Sequence, residues 1–238
     1  MTTLFISDLH LDDKRPETTA LLLRFLEREA ANAEALYILG DLFEYWLGDD
    51  APSDCSLAVA KGLRALGQKG VACYFQHGNR DFLLRQNYAD LAGMTLLPEE
   101  YLADLYGERV LLMHGDSLCT DDVEYQQFRS QVRDPAWQKE FLAQSAEQRL
   151  EAARMARDAS ALHKGDVAMA IMDVNAAEVL RRFERHGVQR LIHGHTHRPA
   201  VHELTANGQA AQRIVLGDWF THGSVLRVTP DGYDLAVI

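Results

Sequence analysis

Apolar residues along this chain fall into short blocks that stop abruptly at polar ones. Leu36-Tyr37-Ile38-Leu39 runs into Gly40-Asp41-Leu42-Phe43-Glu44. A run of this kind, ended by Gly-Asp, predicts a buried strand closing in a turn. Four further runs end in the same manner. Leu4-Phe5-Ile6-Ser7 leads to Asp8-Leu9-His10, and residues 71–75 lead to His77-Gly78-Asn79-Arg80-Asp81. Residues 110–113 lead to His114-Gly115-Asp116, and Leu191-Ile192 leads to His193-Gly194-His195-Thr196-His197. Between these blocks the period changes to 3.6. Leu21, Leu22, Phe25 and Leu26 follow Pro16-Glu17 and predict a helix ending near Asn32. A second helix is expected over 53–66, closed by Gly67, and a short one with Phe82, Leu83 and Leu84 near its start. Another is expected over 175–186, and the tail reads as strands over 213–216, 225–228 and 233–238. Alternating strands and helices predict an α/β layered fold with mostly parallel strands. In such folds ligands bind at the carboxyl edge of the strands. Here that edge would hold the Asp, His and Asn residues.

From Asp121 to about Leu162 the pattern is helical throughout. Trp137 and Phe141 form an i,i+4 apolar pair, and Phe128 and Val132 another. Over 129–164 seven basic side chains stand against five acidic ones, a local balance of +2. A charged amphipathic helix is ordinarily a solvated cover on a core. The alternative is a lid with a basic, partly apolar underside.

Composition narrows the function. The chain has 238 residues, 47% of them hydrophobic, with no repeat and no Gly/Ser- or Pro-rich linker, so one domain over 1–238 is expected. A net charge of −11 argues against nucleic acid as a partner, because phosphate backbones need a basic face. Metal ligands would account for part of that acidity. Cys55, Cys73 and Cys119 are odd in number and widely spaced, which fits a reducing cytoplasm rather than disulfides or a zinc finger. Met1-Thr2-Thr3 leads directly into a strand without a basic export region, and no apolar run nears the ~20 residues of a membrane span. A soluble protein, or one that sits on a membrane surface, is expected.

The candidate metal ligands are Asp8, His10, Asp41, Asn79, His114, His195 and His197. Asp8 and His10 stand two apart, so in an extended segment both point to one side. Carboxylates mixed with imidazoles suit Mn²⁺, Fe²⁺ or Zn²⁺ better than Mg²⁺. Seven ligands divide naturally between two ions if one carboxylate bridges, and Asp41 is placed to do so. Two ions about 3.5–4 Å apart are a standard device for hydrolysing phosphate esters and anhydrides. Lowering the pKa of water from about 15.7 towards about 7 removes roughly 12 kcal/mol from the cost of making hydroxide at neutral pH. Any one of these histidines alone would read as a structural residue, and His193, furthest back in its strand, stays in that class. The joint set at five strand ends is far more specific.

In this order, D-x-H, G-D, G-N-x-D, a strand-end His-Gly and G-H-T-H resemble the calcineurin-like metallophosphoesterases, over residues 4 to about 218. The resemblance implies two packed β-sheets flanked by helices, with a helical insert at about 121–168. The family's common motif is G-N-H-[DE], and this chain has Arg80 at the histidine position. With that change, the chain is similar to members that cleave the pyrophosphate of a diacylated UDP-sugar in lipid A synthesis, releasing UMP and the acylated sugar 1-phosphate. A pyrophosphate loses a phosphate monoester, already a good leaving group, so a fixed guanidinium on phosphate oxygens serves better than a general acid. A protein phosphatase or cyclic-nucleotide phosphodiesterase would prefer histidine there, and a non-catalytic scaffold would not keep all seven ligands. By similarity one ion takes Asp8, His10, Asp41 and His197, and the other takes Asp41, Asn79, His114 and His195. Two Mn²⁺ per chain are implied, with Mg²⁺, Fe²⁺ and Zn²⁺ left open. Catalytic roles are implied for Asp41, Asn79, Arg80 and His114. Substrate contacts are implied for Asn79, Arg80, Asp122, Ser160 and His195, and for Lys164 in place of a lysine expected at Val167. The same resemblance implies peripheral contact with lipid at the cytoplasmic face of the inner membrane. The oligomeric state is left open, a monomer being favoured.

Overall fold

The computed structural model describes residues 1–166 and 173–238, with the side chains of 158–166 outside that description. Strands β1 (Thr3–Ile6), β2 (Ala35–Leu39), β3 (Ala72–Gln76), β4 (Met94–Leu96), β5 (Tyr101–Leu105) and β6 (Glu108–Leu112) come first. Then follow β7 (Arg190–His193), β8 (Ala200–Ala206), β9 (Gln209–Val215), β10 (Ser224–Thr229) and β11 (Gly232–Val237). They make two sheets, one ordered β11-β10-β1-β2-β3-β4 and the other β5-β6-β7-β9-β8. Helices α1 (Pro16–Arg28), α2 (Asp54–Gln68) and α3 (Gln86–Ala92) belong to the first sheet's half. Helices α4 (Val123–Arg133), α5 (Pro135–Leu142) and α6 (Ala146–Asp166) form the insert, and α7 (Ala176–His186) precedes β7.

The continuous apolar runs are explained by burial on both faces. Phe5, Tyr37 and Leu39 point into the space between the sheets, where they meet Val110, Leu112, Ile192 and Ile214. Their neighbours Leu4, Ile6, Leu36 and Ile38 point the other way, onto Leu22, Phe25 and Leu26 of α1 and Val59 and Leu63 of α2. On the far side Leu111, Met113 and Leu191 pack on Val179 and Phe183 of α7. The result is helix, sheet, sheet, helix. Strands β1, β2 and β3 are mutually parallel, as are β6 and β7, so the five predicted strand ends share one edge of the molecule.

Some local expectations are corrected. The second helix passes through Gly67 to Gln68, and the chain turns at Gly70 (φ 92°). Phe82-Leu83-Leu84 lies in a turn, with α3 starting only at Gln86. That start is capped from a distance, because Asp49 accepts from the backbone N–H groups of Arg85 and Tyr88 at 3.0 and 2.9 Å. The helical stretch after Asp121 is three helices, broken where Asp134 caps α5 ahead of Pro135. Strands β4, β5 and β8 escape the sequence reading, and each is the edge of its sheet. Edge strands bury less and so carry weaker apolar alternation. No helix among the described residues is long and apolar enough to cross a membrane.

Candidate metal centre

The loops after β1 and β2 stay laced together beyond the sheet. Asp8 N–H donates to Gly40 O at 3.1 Å, His10 N–H to Asp41 O at 2.9 Å, and Leu11 N–H to Leu42 O at 2.9 Å. This lacing brings Asp8, His10 and Asp41 side by side. The segment is not extended, however. Seven non-glycine residues adopt positive φ among the described residues, and five are predicted ligands: Asp8 (56°), His10 (50°), Asp41 (53°), His195 (69°) and His197 (55°). Each such turn costs an L-residue on the order of 1–3 kcal/mol and persists where the surroundings over-determine it. Side chains therefore converge by left-handed turns, not by strand alternation.

All seven predicted ligands gather within a few ångströms. Asp8 Oδ1 lies 3.2 Å from His197 Nε2, and His10 Nε2 lies 3.3 Å from the same nitrogen. The oxygens of Asp41 diverge, Oδ2 standing 3.6 Å from His10 Nε2 and Oδ1 3.7 Å from His114 Nε2. Asn79 Oδ1 sits 3.1 Å from His114 Nε2 and 2.9 Å from His195 Nδ1. His114 Nδ1 is 2.8 Å from the carbonyl of Leu39, which can only accept, so Nδ1 carries a proton and Nε2 faces the cluster. Asp8 Oδ2 accepts from Ser7 Oγ at 2.5 Å and from His195 N–H at 2.9 Å, while Oδ1 is buried without a hydrogen-bond partner.

This donor set fits divalent cations. Carboxylate, amide and imidazole lone pairs converge, and an orphaned buried carboxylate oxygen calls for a positive partner. Close backbone approach makes the cradle. A Cβ on Gly78 would fall 2.1 Å from Asp41 Oδ1, and one on Gly194 2.3 Å from Asp8 Oδ2. Asp8, His10 and His197 form one group able to hold an ion, and Asp8, Asp41 and His114 another. Burial favours the neutral form of Asp8, but the neighbouring imidazoles of His197 and His114 outweigh it and keep the carboxyl below its usual range. Burial, aided by His114, pushes His195 down to about 4, so it presents a free nitrogen at neutral pH.

His193 is set apart. It is fully buried, its Nδ1 donates to Gly194 O at 2.8 Å, and its Nε2 faces Arg213 at 3.1 Å. Asp122 caps α4, accepting from Tyr125 N–H at 3.0 Å, and does not line the cleft described below. The side chains of Ser160 and Lys164, and all of Val167, lie outside the described residues.

Several residues around the site were not singled out from the sequence. Asp81 accepts from the N–H groups of Leu42 (2.7 Å) and Gly78 (2.8 Å), bolting the β2 and β3 loops together. Burial, with Asp41 close by, raises Asp81 to about 6. Asp116 accepts from Tyr125 Oη (3.0 Å) and Arg129 Nε (2.7 Å), and Arg133 donates to Gly78 O (2.9 Å), tying α4 to the Asn79–Arg80 loop. Phe220 stacks on His10 with centroids 5.2 Å apart. Asp81 and Asp116 were visible as acids two residues past a strand-end Asn or His. Phe220 left no signal.

A cleft of about 630 Å³ opens from Asn79 and Arg80 and runs under the insert. Its walls include Trp46, Phe82, Phe128, Val132, Trp137 and Phe141, with Arg129, Arg133, Arg154 and Arg157 among them. Trp137 and Phe141 stack at 5.0 Å. One continuous space thus runs from Asn79 and Arg80, beside the ligand cluster, to an aromatic and basic end.

The family model for calcineurin-like phosphoesterases matches residues 1–199. The chain is 57% identical, over 99% of its length and 98% of the relative's, to the UDP-2,3-diacylglucosamine hydrolase of Stenotrophomonas maltophilia (strain K279a). It is 55% identical, over the same shares, to the UDP-2,3-diacylglucosamine hydrolase of Escherichia coli O7:K1 (strain IAI39 / ExPEC). Among solved structures, a novel archaeal phosphodiesterase aligns over the whole of both chains with a TM-score of 0.51 at 13% identity, a likeness of fold.

Proposed function

Because the chain belongs to the calcineurin-like phosphoesterase family, we propose that it hydrolyses the pyrophosphate bond of UDP-2,3-diacylglucosamine. The products are UMP and 2,3-diacylglucosamine 1-phosphate, within lipid A synthesis. The observation that carries this reading is the cleft that starts at Asn79 and Arg80, beside the ligand cluster, and opens into an aromatic, arginine-lined space under the insert. A diphosphate flanked by a sugar with two acyl chains has that same order of polarity. The relatives named above support the substrate.

Asp8, His10, Asp41 and His197 would hold one divalent ion, and Asp41, Asn79, His114 and His195 a second, with Mn²⁺ the best match to the mixed donors. Bound there, such ions supply an activated water and neutralise phosphate oxygens. The chain itself does the rest. Arg80, whose backbone N–H is fixed by Asp41 Oδ1 at 2.8 Å, brings a permanent charge to the phosphates. Asn79 and His195 orient them, and Ser160 and Lys164 are further substrate contacts on this reading, whereas Asp122 caps α4 away from the cleft. Helices of the insert cover the acyl chains, which brings the protein to the surface of the inner membrane from the cytoplasmic side. A monomer suffices, since one chain contributes all seven ligands.

The test compares turnover of the diacylated UDP-sugar with that of bis-p-nitrophenyl phosphate. Cleavage of the UDP-sugar at a kcat/KM at least a hundredfold higher is expected. A chelator should abolish it and Mn²⁺ should restore it. Preference for the simple diester would favour a general phosphodiesterase instead.

A further inference from the structure

Glu44 closes the strand-end run with which β2 ends, yet no ligand role falls to it. Its carboxylate is buried, 7% exposed, beside the metal centre. Oε2 lies 3.1 Å from His10 Nδ1, the nitrogen turned away from the ligand cluster. Oε1 lies 3.2 Å from Arg157 Nε on α6. Arg15 approaches Oε2 at 3.8 Å and also donates to the His10 carbonyl. The His10 ring thus has the Glu44 carboxylate beside Nδ1 and Phe220 on one face, and its Nε2 faces Asp41 and His197.

An imidazole that ligates a metal generally gives its other N–H to a carboxylate, which fixes tautomer and ring plane and raises basicity. We propose that Glu44 is a positioning residue that orients His10 for metal through one oxygen and anchors helix α6 of the insert through the other. One buried carboxylate then joins the ion site to the cover over the cleft. The inference rests on the metal reading proposed above and adds a residue outside the seven ligands. His10 is the route to the ion, and Arg157 is the route to the insert, so the two effects separate by mutation.

The experiment uses the full chain, stripped with chelator and titrated with Mn²⁺ by calorimetry, with backbone hydrogen exchange followed over residues 150–157. Glu44→Ala is expected to weaken Mn²⁺ binding about 10- to 100-fold and to speed exchange in α6. Glu44→Gln, which keeps the shape, should weaken binding less than Glu44→Ala but at least about threefold; it carries the test if the alanine variant fails to fold. Arg157→Ala should speed exchange in α6 while leaving Mn²⁺ affinity within about twofold of wild type. Adding Glu44→Ala to His10→Ala should cause no further loss of affinity, since the effect passes through His10. Wild-type affinity in both Glu44 variants, or full additivity with His10→Ala, would overturn the positioning role. Unchanged exchange in Arg157→Ala would overturn the anchor. Failure of the wild-type chain to take up Mn²⁺ would instead overturn the metal reading, and the inference with it.

Discussion

At Asp41 the two carboxylate oxygens serve different neighbours, one facing His10 and the other His114. That divergence is what a bridging ligand needs, and Asp41→Ala should therefore remove metal and turnover together. Metal analysis after desalting, alongside circular dichroism to show a folded chain, checks this. Close to two ions per chain with unchanged turnover would sink the bridging role. Arg80 makes a different kind of prediction. If its charge acts as negative charge builds on the departing phosphate, Arg80→Ala should lower kcat more than it raises KM. Steady-state kinetics on the diacylated UDP-sugar decides the point, and a pure KM effect would reassign Arg80 to binding alone. The seven candidate ligands were legible because each ends an apolar run, and the structure does gather them. Their backbone was not legible: Asp8 and His10 were expected in extended chain, whereas both take left-handed φ. Nothing in a residue's identity marks it for that conformation when it is not glycine. The role of Glu44 was also hidden, since a buried acid and a solvated one look alike in sequence.

Helices α4, α5 and α6 have two faces with different tasks. Arg129 and Arg133 tie α4 to Asp116 and to the Gly78 carbonyl, so the insert is bound to the ligand loops as well as resting over them. Trp137 and Phe141 point into the cleft, where Phe82 approaches Trp137 at 6.3 Å. If these rings hold the acyl chains, changing both to serine should raise KM for the diacyl substrate. A fully buried aromatic is worth about 1.5–3 kcal/mol, so about tenfold is a modest expectation for two partly covered rings. Phe141 is itself buried, and the kinetics should be taken well below the variant's measured Tm. An unchanged KM would return α5 to the simpler role of covering the core. This element was half legible: the i,i+4 aromatic pairs showed an apolar face, but not that it overlooks a cleft. Strands β4, β5 and β8 illustrate the same limit, because an edge needs too little burial to write a strong pattern.

Across the whole molecule, two sheets bring their parallel strand ends to a single edge, and the insert stands over that edge. Five strand-end signals predicted the edge; the resemblance, not the apolar pattern, predicted that it belongs to two sheets. On the proposed function, this layout sets how a long amphipathic substrate would lie. Its acylated end would follow the aromatic walls of the cleft, and the diphosphate would reach Arg80 and the ligand cluster. In that pose the cleft arginines would hold the sugar phosphate on the insert side, and the uridine-side phosphorus would lie at the cluster, in line with the departing sugar phosphate. Water oxygen should therefore enter UMP. Hydrolysis in ¹⁸O-labelled water, followed by mass spectrometry of both products, should find the label in UMP and none in the acylated sugar 1-phosphate. Label in the lipid product would reverse the orientation and take from the insert its role of anchoring the acylated end. The ligand cluster would stand, since its geometry comes from the strand ends and owes nothing to which phosphorus faces it.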